Sequence, residues 1–163
     1  MSERESNPLI DRILTPLVSS RPGSWFYVNV APHLDRVLLR LTGGRFTTGG
    51  RHRVGFLKVK GAKSGLERTT PLVYTRDGEK ILLVASRGGD VKHPAWYRNV
   101  VANPEVRFSI DAQERAYSAR ELDGADRERA WPLVVRRYPG YAIYEQRAGE
   151  RKIPVIELAP RGA

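Results

Sequence analysis

The sequence predicts a mainly β (α+β) chain, a small closed antiparallel barrel of six short strands with helices at its ends. Three observations carry this. Short strand-like apolar runs recur from residue 53 onward, turn residues separate them, and the first three are joined by connections too short for crossover helices. Strands without room for a crossover pair antiparallel. The length of 163 residues and the 40% hydrophobic content suit one core, organised as an N-terminal helical arm over 1–45 and a barrel domain over 46–163.

In the arm, Leu9, Ile13, Leu14, Leu17 and Val18 lie at helical spacing, interrupted by Pro16 and ended by Arg21-Pro22-Gly23. Leu34, Val37, Leu38 and Leu41 make one face of a second helix, which Gly43-Gly44 closes. Such an arm covers the barrel or a partner subunit, or lies on a membrane surface. Val54–Lys60 then reads as the first strand, and the loop Gly61-Ala62-Lys63-Ser64-Gly65 follows. Thr69–Arg76 and Lys80–Ala85 form a hairpin through Asp77-Gly78. Pro94–Ala102 is a short helix opened by its proline and stopped by Asn103-Pro104. Val106–Ile110 and Arg115–Leu122 are strands. Asp123 caps a helix reaching Tyr138, with a kink expected at Pro132, and Ile153–Leu158 closes the barrel.

Composition removes several chemistries. With no cysteine there is no disulfide framework, thiol nucleophile or Cys-ligated metal. His33, His52 and His93 are scattered, without an HxxxH or HExxH pair, so no metal site is expected. GxSxG, SxxK, GxGxxG and the P-loop pattern are all absent. Charge is the positive signal. The 28 Lys+Arg against 18 Asp+Glu leave a formal +10, which selects an anionic partner. Residues 51–68 alone hold six bases (Arg51, Arg53, Lys58, Lys60, Lys63, Arg68) and one acid, whereas residues 1–50 hold six bases and four acids. That concentration suits a groove for a small polyanion better than a nucleic-acid surface, and no recognition helix or RNP-like aromatic strand is present. The first 24 residues carry no leader pattern and no window is apolar enough to span a bilayer, so the expected compartment is the cytoplasm or its membrane face.

Three segments can carry chemistry. In Gly61–Pro71, glycines flank Lys63 and Ser64, which opens backbone N–H groups to an anion while Lys63 and Arg68 add charge; the alternative is a basic hairpin loop. In Ala85–Asn99, a strand runs through Ser86-Arg87-Gly88-Gly89 into a helix whose first turn holds Trp96, Tyr97 and Asn99. That helix start suits an anion, the indole a ring face and the Asn99 amide a ring edge. Trp96 and Tyr97 can equally pack in the core with Val100 and Val101. In the third, Tyr138, Tyr141 and Tyr144 recur every three residues, lining a pocket with a phenolic proton donor or packing as aromatic core.

These three segments, in this order, resemble the deazaflavin (coenzyme F420)-dependent nitroreductases and quinone reductases of actinobacteria. The likeness runs from Leu41-Thr42-Gly43-Gly44-Arg45 to Ile153-Pro154-Val155. It includes Gly61-x-Lys63-Ser64-Gly65-x-x-Arg68-Thr69-x-Pro71-Leu72, Lys92-His93-Pro94-x-Trp96-Tyr97-x-Asn99, Ala102-Asn103-Pro104 and Tyr138-Pro139-Gly140-Tyr141. The resemblance implies a split β-barrel of the flavin-reductase/FMN-binding kind and F420, in preference to FMN, as cofactor. Hydride would pass from reduced deazaflavin to a quinone, nitroaromatic or similar small-molecule acceptor. It implies Lys63, Ser64 and Arg68 near the phosphate and glutamyl tail. Pro71, Ala85, Ser86, Arg87, Trp96 and Asn99 would surround the ring and linker. Ser86, Tyr138, Tyr141 and Tyr144 would face the acceptor, with Tyr141 as proton donor and Ser86 beside it as the second catalytic residue. Ala62 stands where many relatives are basic, and Arg87 where lysine is common. A monomer or homodimer is expected. The rival expectations are an F420 or flavin storage protein without turnover and, more remotely, a nucleic-acid-binding domain.

Overall fold

Six strands form over the alternating runs in the computed structural model, which describes residues 54–162; the expected arm over 1–45 lies outside the described residues. The elements are β1 (Val54–Lys60), β2 (Glu67–Asp77), β3 (Lys80–Val84), a 3₁₀ turn (Arg87–Gly89), α1 (Ala95–Ala102), β4 (Glu105–Ile110), β5 (Gln113–Glu121), α2 (Gly124–Arg137), α3 (Gly140–Ala148) and β6 (Val155–Pro160). The strands close in the order β1-β2-β3-β6-β5-β4, and each adjacent pair is antiparallel. The expected closed barrel is the one found, with helices at its periphery.

Period-two alternation divides the molecule into two cores. Leu57 and Val59 of β1 turn inward with Tyr74, Ile81, Leu83, Phe108, Tyr117, Ile156 and Leu158, and α1 adds Trp96 and Val100 to the same cluster. On the other face of β3 and β6, Leu82, Val84 and Val155 are covered by Ala130 and Val134 of α2 and by Tyr141, Tyr144 and Ala148 of α3. Fully burying one such aliphatic side chain stabilises the fold by about 1.5–3 kcal/mol, so both cores matter. Glu157 of β6 is 2% exposed and bonds Lys80 at 3.0 Å and Arg120 at 2.9 Å. Pairing from both sides is what makes a buried carboxylate tolerable.

The structure differs from the sequence reading at one cap and in one helix. Asp123 occupies the N-cap position of α2, yet its side chain makes no cap hydrogen bond, and its carbonyl accepts the Arg127 N–H at 3.1 Å. Pro132 lies inside α2, which continues to Arg137. The helix α3 is the larger difference. The sequence reading places no helix between Tyr138 and Ile153, but Pro139 adopts helical dihedrals (φ −58, ψ −22) as the N-cap of a new helix that starts at Gly140, soon after α2.

Candidate functional site

The Gly61–Gly65 loop folds back on itself. Gly61 N–H donates to the Leu66 carbonyl at 2.9 Å, Gly65 N–H to the Gly61 carbonyl at 2.8 Å, and Leu66 N–H to the Ser64 hydroxyl at 3.4 Å. A Cβ on Gly61 would stand 2.6 Å from Ser64 Oγ, so only glycine leaves room for that hydroxyl. Lys63 and Arg68 project from this frame and meet no carboxylate among the described residues. Their neighbours differ: Lys58 pairs with Glu114 at 2.6 Å, and Arg107 pairs with Glu67 and Glu114. By the β1–β2 register Arg68 stands opposite Val59 and shares its inward face, at the barrel rim. Pro71, opposite Phe56, is half-buried on the outer face of the same hairpin.

Asn99 joins this loop to α1. Its side-chain Oδ1 accepts the Ala62 N–H at 3.0 Å, and the Asn103 amide donates to the Lys60 carbonyl at 3.2 Å. The backbone of Ala62, rather than a side chain there, is thus the contact that orders the loop. The side-chain NH₂ of Asn99 makes no hydrogen bond among the described residues. Trp96 is 7% exposed within the barrel core, so most of its indole serves packing.

The segment after β3 is held from behind. Arg87 (φ 49), Gly88 (φ 67) and Gly89 (φ 82) are consecutive left-handed residues. Arginine is uncommon in that region, and its neighbours must hold it there. A Cβ on Gly89 would stand 2.7 Å from the Tyr144 carbonyl, so glycine lets the turn seat directly on α3. Arg87 pairs with Asp90 at 3.2 Å and donates to the His93 carbonyl at 3.4 Å, which uses much of its donor capacity internally. The Ala85 N–H donates to the Pro154 carbonyl at 2.9 Å, and Ala85 is fully buried. Ser86 is 9% exposed; its carbonyl is occupied, whereas its hydroxyl makes no hydrogen bond among the described residues.

Arg151, which sequence reasoning did not single out, holds this segment. It donates to the Ala85 carbonyl at 3.3 Å and the Ser86 carbonyl at 2.8 Å, and its Nη1 lies 3.3 Å from His93 Nδ1. Burial holds its guanidinium below the usual arginine range. Burial and then Arg151 likewise hold His93 below the ordinary 6.5. The His93 ring stacks against Tyr97 at 4.8 Å. The Tyr97 hydroxyl donates to Glu121 at 2.6 Å, and burial together with that bond pushes it up to about 12.

Tyr138, Tyr141 and Tyr144 come together as a buried cluster against the Arg87–Gly89 turn. Tyr138 and Tyr141 rings meet edge-on at 5.0 Å, and the Tyr138 and Tyr144 hydroxyls are 3.1 Å apart. Burial, then Tyr144, raises the Tyr141 phenol above the ordinary tyrosine range. The barrel's far end carries a separate cavity of about 280 Å³ lined by Arg76, Phe108, Arg115 and Tyr117, and it includes none of the expected site residues.

Comparison with known proteins places the chain in one family. The family model for F420H(2)-dependent quinone reductase matches residues 32–160. The F420H(2)-dependent quinone reductase Rv1261c of Mycobacterium tuberculosis is 36% identical over 141 residues, spanning 79% of this chain and 94% of that protein. A solved F420-H2 dependent reductase (FDR-A) is 42% identical, with a TM-score of 0.61 over 65% of this chain and 93% of its own. A solved domain-swapped dimer is 37% identical, with a TM-score of 0.62 over 84% of this chain and 98% of its own. The chain belongs to the F420H(2)-dependent quinone reductase family.

Proposed function

We propose that the face bounded by the Gly61–Arg68 loop, the Ser86–Gly89 turn and the start of α1 binds F420, and that the chain reduces a quinone-type acceptor there. The observation that carries this is Lys63 and Arg68, two cations without a described carboxylate partner, the first on a loop that Asn99 fixes in place and the second at the start of β2 beside it. A phosphodiester and a glutamate chain are the anions such donors suit, through charge-assisted and bidentate bonds. The donor set therefore fits the cofactor that the family uses. Lys63 and Arg68 hold the anionic tail, with Ser64 shaping the loop between them. The Asn99 NH₂ is available to the ring edge, and Pro71, Arg87 and the exposed edge of Trp96 border the ring and linker, with the buried Ala85 supporting the segment from behind.

When bound, reduced F420 supplies a hydride to the acceptor. The chain's own task is alignment and proton supply. Reducing a quinone to a hydroquinone takes one hydride and one proton, and Tyr141, kept protonated by burial, is the proton donor. Ser86 offers its free hydroxyl to the acceptor oxygen. Tyr138 and Tyr144 hold Tyr141 in place and keep water from it. No helix among the described residues is long and apolar enough to cross a membrane. A homodimer is the assembly we infer, since a solved relative is a domain-swapped dimer.

The test is a parallel titration of the purified protein with F420, FMN and NADPH, followed by menadione and a nitroaromatic. F420 binding and menadione-dependent oxidation of F420H2 are expected. No F420 binding overturns the reading, and binding without turnover supports a storage role.

A further inference from the structure

We propose that Arg151 is the positioning residue of this site and that His93, its third acceptor, makes the positioning sensitive to acid. The proposal rests on the reading that Ser86, which follows the buried Ala85, borders the cofactor.

Arg151 follows the end of α3, where its own N–H donates to the Ala148 carbonyl at 3.1 Å. From there its guanidinium reaches two carbonyls at the end of β3 and the ring of His93 just before α1. One planar group thereby fixes both ends of the segment that carries Ser86 and Arg87. Its buried Nε has no partner among the described residues, so the guanidinium is held through its two Nη groups. The segment it holds includes Arg87 at φ 49, a conformation that persists only where the surroundings impose it.

The His93 contact sets the chemistry. Arginine can only donate, so His93 Nδ1 must accept and its ring proton sits on Nε2. Protonating Nδ1 removes the acceptor and sets two cations 3.3 Å apart. The groups around His93 leave that conflict in place. Arg151 and Arg98 of α1 disfavour the charged ring, and Glu121 at the end of β5 favours it, but the Glu121 carboxylate already takes the Tyr97 hydroxyl. Asp90 and Arg87 bear on Arg151 with opposite sign, and they pair with each other.

The sign follows from the depressed titration of His93. Its neutral form is favoured in the fold, so its contribution is present above pH 6.5 and is lost as pH falls through the lower folded value. Acidification frees Arg151 from the ring, loosens Ala85–Ser86 and weakens cofactor binding.

Three proteins test this: wild type, His93→Asn, whose Oδ1 keeps an acceptor at the Nδ1 position without titrating, and Arg151→Met. The ratio of variant to wild-type F420 Kd is measured between about pH 5.5 and about pH 7.5, so that titration of the cofactor itself cancels. Wild type should lose roughly fivefold more affinity on acidification than His93→Asn, the low end of typical coupling between linked groups. Equal losses in the two proteins overturn the pH element. Without cofactor, NMR titration of the His93 ring should show its midpoint rising toward 6.5 in Arg151→Met. An unmoved midpoint overturns the clamp. If F420 binds none of the three proteins, the functional reading fails instead, and the ring titration still decides the clamp. Should Arg151→Met not fold, Arg151→Lys replaces it, because a lysine cannot span all three acceptors.

Discussion

Asn99 Oδ1 and the Ala62 N–H, 37 residues apart, meet at 3.0 Å and so tie the Gly61–Gly65 loop to α1. The bond separates two roles for Asn99. If its amide served the ring alone, removing it would cost ring contact but leave the loop intact. Because it also orders the loop, Asn99→Ala should weaken F420 binding by about 0.5–1.5 kcal/mol, the net worth of a typical hydrogen bond. Loop amides of residues 61–66 should exchange faster in the apo protein. Affinity loss without faster exchange would assign Asn99 to the ring alone.

Lys63→Ala and Arg68→Ala should each weaken F420 binding by about 1.5–3 kcal/mol, the range for hydrogen bonds to charged groups. Neither side chain has a carboxylate partner to strand among the described residues, so unfolding midpoints should stay within about 0.5 kcal/mol of wild type. Titration at rising ionic strength should also show a shallower salt dependence for each variant. An affinity unchanged in both would remove the loop from the site.

Trp96→Ala should lower stability by about 3–5 kcal/mol, the usual cost of deleting a core aromatic side chain. With 7% exposure the indole packs in the same cluster as Val100, so the loss belongs mostly to the barrel. Denaturant unfolding measures it, and an F420 titration under conditions where the variant stays folded reads any separate cofactor term. An unchanged unfolding midpoint would overturn the packing role.

The barrel was legible because its signal is local. Leu57/Val59 and Ile81/Leu83 alternate inward with period two, and Asp77-Gly78 marks the hairpin between β2 and β3. The loop that carries Lys63 was legible for the same reason, since Gly61 and Gly65 frame it in the sequence. Contacts across the sequence were not. Nothing around Arg151 distinguishes it from the flanking Lys152, because its acceptors are main-chain carbonyls 65 and 66 residues upstream, which carry no side-chain signature. Helix α3 was hidden by Pro139-Gly140, whose turn propensity yields to the burial of Tyr141, Tyr144 and Ala148 on the outer barrel face. The three-residue spacing of the tyrosines was the one local sign of that helix.

Tyr141→Phe is the sharpest test of chemistry against packing. The ring is buried among Tyr138 and Tyr144, so phenylalanine keeps the edge-on contacts and removes only the hydroxyl. F420 affinity and the unfolding midpoint should therefore stay close to wild type. Quinone turnover should fall by about 10²–10⁴-fold if the phenol delivers the proton, the usual contribution of a positioned general acid. Burial raises the Tyr141 phenol above its ordinary 10.0, so the neutral form is favoured in the fold. Its contribution to stability is full below about pH 10 and is lost only as pH climbs through the folded value. Wild-type turnover should accordingly show no alkaline loss from this group between about pH 7 and about pH 9, well below its titration. The rate at which oxidised F420 appears from F420H2 and menadione measures both the drop and the profile. Turnover by Tyr141→Phe equal to wild type would leave the tyrosine cluster as core packing and return the proton to Ser86 or solvent.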